Sequence, residues 1–232
     1  MISKVPKQIL LFLILIWVSV SADAQTENRS YSSLNDRLYN GKVYSYYPPT
    51  DVVGTQFIND EIFSMSTVWI EGEAFKDILL NYDILNQEVL LSFKDAQGAQ
   101  KIIALSMAYV DSFYYEQKLF VIIRDNDDGT KIYQRIKSQS FQFYFLWHKN
   151  LNLQTSLNII KYEFSKPLRK IYFVYDGKKN AVSNNRSLIK LFSKKHQTVL
   201  RKYMRSHKMK LGKMNDSQFL ELLTYIDNLQ SE

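Results

Sequence analysis

A chain of 232 residues with no cysteine forms no disulfide, holds no zinc through thiolates and carries no cysteine nucleophile. With 46% hydrophobic and 14% aromatic residues against 7 glycines and 4 prolines, it can fill a core and lacks the composition of a disordered chain. Its formal charge of +7 favours anionic partners, from which nucleic acid drops out because no recognised binding signature is present and the chain reads as exported.

The export reading comes from the first residues. Lys4 and Lys7 form a positive start, Ile9 to Val20 run apolar except for Ser19, and Ala22-Asp23-Ala24 gives the A-x-A exit. This order predicts a signal peptide over residues 1–24, with Gln25 as the first mature residue. A membrane-crossing helix needs about 20 apolar residues, more than this run supplies, so no transmembrane span is expected after cleavage. With no cysteine at the cleavage point, the protein is not expected to be a lipoprotein.

Residues 25–37 are polar and aperiodic, which predicts a flexible lead-in. From 38 to 183 short runs rich in β-branched and aromatic residues alternate with turn signals. Strands are expected near Val43–Tyr47, Ser66–Glu71, Phe75–Tyr82, Glu88–Phe93, Lys101–Ser106, Tyr109–Tyr115, Leu119–Arg124, Lys131–Ile136, Ser140–Trp147, Leu157–Phe164 and Lys170–Tyr175. Glu71-Gly72-Glu73, Asp128-Gly129 and Asp176-Gly177 offer residues that tolerate reversal. Phe141, Phe143, Phe145 and Trp147 share one face at period two. The connections are mostly too short for parallel crossovers, so the expected fold is an antiparallel meander, rolled or barrel-like, within an α+β whole.

Residues 184–232 change period. Leu188, Leu191, Phe192, Val199, Leu200, Tyr203 and Met204 recur at helical spacing and predict one amphipathic helix over Ser187–Leu211, capped by Asn185 and stopped by Gly212. A second helix over Asp216–Leu229 begins with a capping box of Asn215 and Gln218. Together they form a helical hairpin packed on the β domain, the stripe Leu188, Phe192, Val199 and Tyr203 facing the body. Between Ser187 and Asn215 lie nine basic residues and no acid, more positive charge than the whole chain's net +7. Lys194, Arg201 and Arg205 share one helical face, with Lys195 and Lys202 in the adjacent row. These five are the candidate face for an anionic partner. Asp216, Glu221 and Asp227 of the second helix could answer some of that charge.

Reactive constellations are not expected. His148, His196 and His207 are dispersed, and no G-x-S-x-G elbow, H-E-x-x-H helix or glycine-rich phosphate loop occurs. Asp125 to Gly129 misses the EF-hand template at positions five and twelve and reads as a hairpin turn. The pairs Glu71/Glu73 and Asp60/Glu61 sit where both carboxylates would stay ionised, which suits no acid–base division of labour. No cofactor and no metal are expected.

Leu38-Tyr39-Asn40-Gly41-Lys42-Val43-Tyr44, Tyr46-Tyr47-Pro48-Pro49, Gly54-x-x-Phe57, Leu79-Leu80-Asn81-Tyr82-Asp83-Ile84, Glu88-Val89, Ser187 to Phe192, Lys194-Lys195 and Tyr225-Ile226-Asp227 resemble a group of exported Bacteroidota proteins of unknown function. The resemblance implies a cell with two membranes, and so the periplasm or the periplasmic face of the outer membrane. It carries no functional residues with it. The expected function is a non-catalytic interaction or accessory protein that binds another protein or an envelope component. A lipocalin-like carrier of an apolar ligand is the first alternative, and an unrecognised hydrolase the second.

Overall fold

The computed structural model describes residues 36–59, 63–125, 129–156 and 159–230. The expected signal peptide and most of the expected lead-in lie outside them, as do Asp60 and Glu61. The chain divides after Tyr39, and the body is the unit that begins at Asn40.

The strands are β1 (Gly41–Val43), β2 (Ser64–Ile70), β3 (Glu73–Asp83), β4 (Glu88–Lys94), β5 (Gln100–Leu105), β6 (Val110–Tyr115) and β7 (Lys118–Asp125). They continue with β8 (Gly129–Lys137), β9 (Gln142–His148), β10 (Leu151–Ser156), β11 (Ile159–Phe164), β12 (Leu168–Tyr175) and β13 (Lys178–Ala181). Eleven of them form one antiparallel sheet in the order β1-β5-β4-β3-β2-β6-β7-β8-β9-β12-β13. The sheet does not close, so the rolled alternative holds and the barrel does not. Two-residue reversals drive the meander: Glu71-Gly72 and Asp176-Gly177 each have both φ values positive, the geometry that matches strand twist in tight hairpins.

Register makes one face continuous. Phe113 pairs with Phe120, Phe120 with Gln134, Gln134 with Phe145, and Phe145 with Ile171. On this face Tyr82 of β3 packs its ring 5.3 Å from that of Phe120 on β7. Those strands are three places apart in the sheet, which at about 4.8 Å per strand would separate them by roughly 14 Å if flat. The sheet therefore curls around this aromatic cluster, and a break in register between Ser66 and Val68, opposite Asp77 at φ +55°, lets it bend.

At the other end the same face is covered by helices. These are α1 (Asn185–Ile189), α2 (Lys194–Ser206) and α3 (Asp216–Gln230), with a 3₁₀ turn at Leu211–Lys213. Phe141, Phe143 and Phe145 are buried as the period-two stripe predicts, and Trp147 is partly buried against the same core. Phe219 of α3 meets Phe143 and Phe145 edge-on at 5.0 and 4.7 Å. The capping box forms as expected: Gln218 N–H donates to Asn215 Oδ1 (2.9 Å), and Asn215 N–H to Gln218 Oε1 (3.1 Å).

Several expectations change. The single helix over Ser187–Leu211 is broken at residues 190–193, where Ser193 takes an extended conformation and caps α2. Asn184, not Asn185, caps α1. The ladder expected over Val43–Tyr47 ends at Val43. Tyr44 turns inward instead, and with Phe57 it covers β4 and β5, where Phe57, Leu90 and Ala104 form a second core. β10 and β13 were not anticipated. β10 and β11 form a separate hairpin, attached by a parallel bridge between Val53 and Glu163. Among the described residues no helix is long and apolar enough to cross a membrane.

Candidate anionic-partner surface

α2 is positioned by two side chains. Leu200 and Met204, one turn apart, are 0% and 1% exposed and seat the helix in the shared core. That fixes the remaining circumference toward solvent. Lys194, Lys195, Arg201, Lys202 and Arg205 are all exposed, and among the described residues none takes part in an ion pair. Val199 departs from the expected inward stripe: it is 37% exposed. Tyr203 is half-buried and stacks on Tyr225 of α3 with ring centroids 3.6 Å apart.

The acids of α3 bond to the sheet, to the turn before β9 and to a tyrosine of α2. Asp216 accepts from Gln134 Nε2 at 2.8 Å. Asp227 accepts from the Gln139 and Ser140 N–H groups at 3.1 and 3.0 Å, closing the turn before β9. Glu221 accepts from the Tyr203 hydroxyl at 2.8 Å; burial first, and then this carboxylate, push that phenol up to about 12. Of these carboxylates only that of Glu221 is seen bonded to α2, through the Tyr203 hydroxyl rather than through one of its cations. Like charges one turn apart, such as Arg201 and Arg205, cost a helix a few tenths of a kcal/mol. Helix stability therefore gives no reason for this arrangement.

A feature that helical spacing did not reveal lies beside the row. The exit from α2 folds back, so Lys208 and Lys210 join Arg201 and Arg205 around a groove of about 400 Å³, with Asn185, Ile189, Met204 and Met209 completing its lining. Ile189, Met204 and Met209 are 5%, 1% and 2% exposed, so apolar atoms make its floor. Asn185 locks the wall: its Nδ2 donates to the Met209 carbonyl (2.8 Å) and its Oδ1 accepts from Leu211 N–H (2.9 Å). Lys208 sits at φ +52°, where the chain must reverse for Met209 N–H to reach the Met204 carbonyl (2.8 Å). The absence of acid from the whole stretch was legible; the fold-back was not.

A larger cleft, of about 690 Å³, opens at the edge of β12 beside Trp147, Arg169, Tyr172, Val182 and Gly212. Arg169 there is a structural clamp. Its guanidinium lies 5.1–5.5 Å from the ring centres of Phe145, Trp147 and Phe219 and donates to the Met214 carbonyl at 2.6 Å. Burial lowers its pKa, partly offset by Asp216. Trp147 Nε1 donates to Gln134 Oε1 (2.8 Å), so a chain Trp147–Gln134–Asp216 ties sheet to helix at the same point.

Among the described residues no three histidines or acids are placed to share a metal ion. His148 Nδ1 is buried without a hydrogen-bond partner. Ser206 Oγ and His207 Nδ1 lie 3.1 Å apart, but both are turned to the Tyr203 carbonyl at the end of α2. Glu71 and Glu73 are exposed at their turn. Asp125 and Gly129 close the β7–β8 hairpin, and the residues between them lie outside the described ones. No family model matches the chain, and comparison with curated proteins and solved structures gives no match either.

Proposed function

We propose that this is a non-catalytic periplasmic interaction protein that engages an anionic component of the cell envelope through α2. The observation that carries the reading is the exposure of Lys194, Lys195, Arg201, Lys202 and Arg205, which form no ion pair among the described residues. The signal-like N-terminus supports the location, and the summed field of nine cations in a stretch without acid supports the sign of the partner. A lipocalin-like carrier finds less support, because the sheet stays open and its concave face is filled by Tyr82, Phe113, Phe120 and the helices.

Co-sedimentation with isolated envelopes tests the proposal. Lys195→Glu with Lys202→Glu should abolish association at low salt and leave the melting temperature nearly unchanged, since both side chains are exposed. Wild-type association should also fall as salt shortens the screening length from about 10 Å toward 3 Å. Association indifferent to both the substitutions and the salt would refute it.

A further inference from the structure

We infer that the groove between α1 and the exit of α2 is a headgroup site for a lipid bearing a terminal phosphate, a deeper claim that rests on the envelope reading above. A helix face that merely attracts an anionic membrane needs charge and nothing else. This groove has more: four cations on its rim, a locked wall and an apolar floor.

Arg201 and Arg205 project one turn apart from α2. Lys208 and Lys210 reach the same hollow from the returning chain. A phosphomonoester carries up to two negative charges and three acceptor oxygens, which two guanidinium groups and two ammonium groups suit better than they suit a singly charged diester. Charge-assisted bonds of this kind are the strong ones, and arginine supplies them in pairs. Among the described residues no carboxylate lines the groove to compete. Ile189, Met204 and Met209 lie almost wholly buried beneath the groove. The apolar surface that a lipid's glycerol and first methylenes can cover is therefore chiefly that of the aliphatic stems of the four cations, which favours an amphiphile over a free ion. Lys208, at φ +52°, is placed by the reversal of the chain so that its cation reaches the rim.

The test uses the full mature chain and vesicles of phosphatidylcholine containing either phosphatidic acid or phosphatidylglycerol, adjusted to equal surface potential. Phosphatidic acid vesicles should bind more tightly. Arg205→Gln and Lys208→Gly should each reduce that binding by about fivefold, the usual weight of one basic residue near a charged surface, and should erase the preference between lipids. Lys208→Gly should melt no lower than wild type, so a loss of binding there is not a loss of fold. Equal binding to both vesicles, or a preference that survives both variants, overturns the headgroup site while leaving the envelope reading intact. Failure to bind either vesicle overturns both. Stabilisation by glycerol 3-phosphate without vesicle capture overturns the lipid as the source and points to a soluble phosphate ester.

Discussion

The two ends of the sheet are covered in opposite ways. Over β9 and β12 the cover is helical and aromatic: Phe219 sits fully buried between Phe143 and Phe145, and Phe192 packs 5.8 Å from Phe173. Over β4 and β5 the cover comes from Tyr44 and Phe57, in a segment that pairs with the strands only by isolated bridges, at Val53 and Phe57, and is held partly by a buried carboxylate. Asp83 is 0% exposed. Its Oδ1 accepts from the Leu85 and Asn86 N–H groups at 2.9 and 2.8 Å, and its Oδ2 from the Tyr44 hydroxyl and Asn86 Nδ2, both at 2.8 Å. Gln56 Nε2 in turn donates to Tyr44 at 3.0 Å. Apolar packing is non-directional and tolerates a helix settling where its stripe fits. A carboxylate that must be satisfied from four directions dictates where each donor stands.

The largest effect that sharpens this contrast is at the aromatic end. Phe219→Ala should cost about 3–5 kcal/mol, through lost burial and the cavity left between two rings, read from denaturant unfolding. A loss below about 1 kcal/mol would mean that the helices are not held by this packing. Next comes the polar end. Asp83→Asn keeps the shape but presents a donor where Tyr44 and Asn86 already donate, and should cost about 1–3 kcal/mol. Protection of residues 44–59 from hydrogen exchange should fall with it, while α3 stays protected. Uniform loss across both ends would break the comparison.

The smallest effect is in alkaline titration. Burial raises the phenols of Tyr44 and Tyr82 above the ordinary 10.0. The folded state then keeps protons that the unfolded chain releases, so this stability is intact below 10.0 and is lost as pH rises toward the folded values. Stability measured against pH should fall above 10.0, and more gently in Tyr44→Phe and Tyr82→Phe. An unchanged slope in both would remove these phenols as its source.

What could be read beforehand follows from what a pattern encodes. The stripe of Phe141, Phe143 and Phe145, the turns at Gly72 and Gly177 and the box of Asn215 and Gln218 are local: a few adjacent residues determine each. The break between α1 and α2 was hidden because Leu188, Phe192, Leu200 and Met204 keep one helical phase across it, and only Ser193 marks the new start. β10 and β13 were hidden because Leu151–Ser156 and Lys178–Ala181 pair through backbone with little burial to advertise them. Tyr44 read as part of a strand, yet its aromatic ring serves a hydroxyl that meets Asp83 39 residues away. The charge on α2 was visible residue by residue. The groove was not, since it exists only once Lys208 reverses the chain.

The open sheet ends in β1, three residues long, and β13, four residues long, the latter opening with Lys178 and Lys179. Sheets extend by offering unpaired rungs to a newcomer, and length and neutrality decide how well the offer holds. Here an incoming strand finds three or four rungs at either side, and at one of them the exposed Lys178, while the Lys179 ammonium is turned back over the sheet to the Tyr133 hydroxyl. A protein concentrated on a surface meets copies of itself far more often than one dispersed in solution. Were the proposed envelope association to crowd copies together, a sheet tapered at both margins would offer them little backbone through which to join into a ribbon.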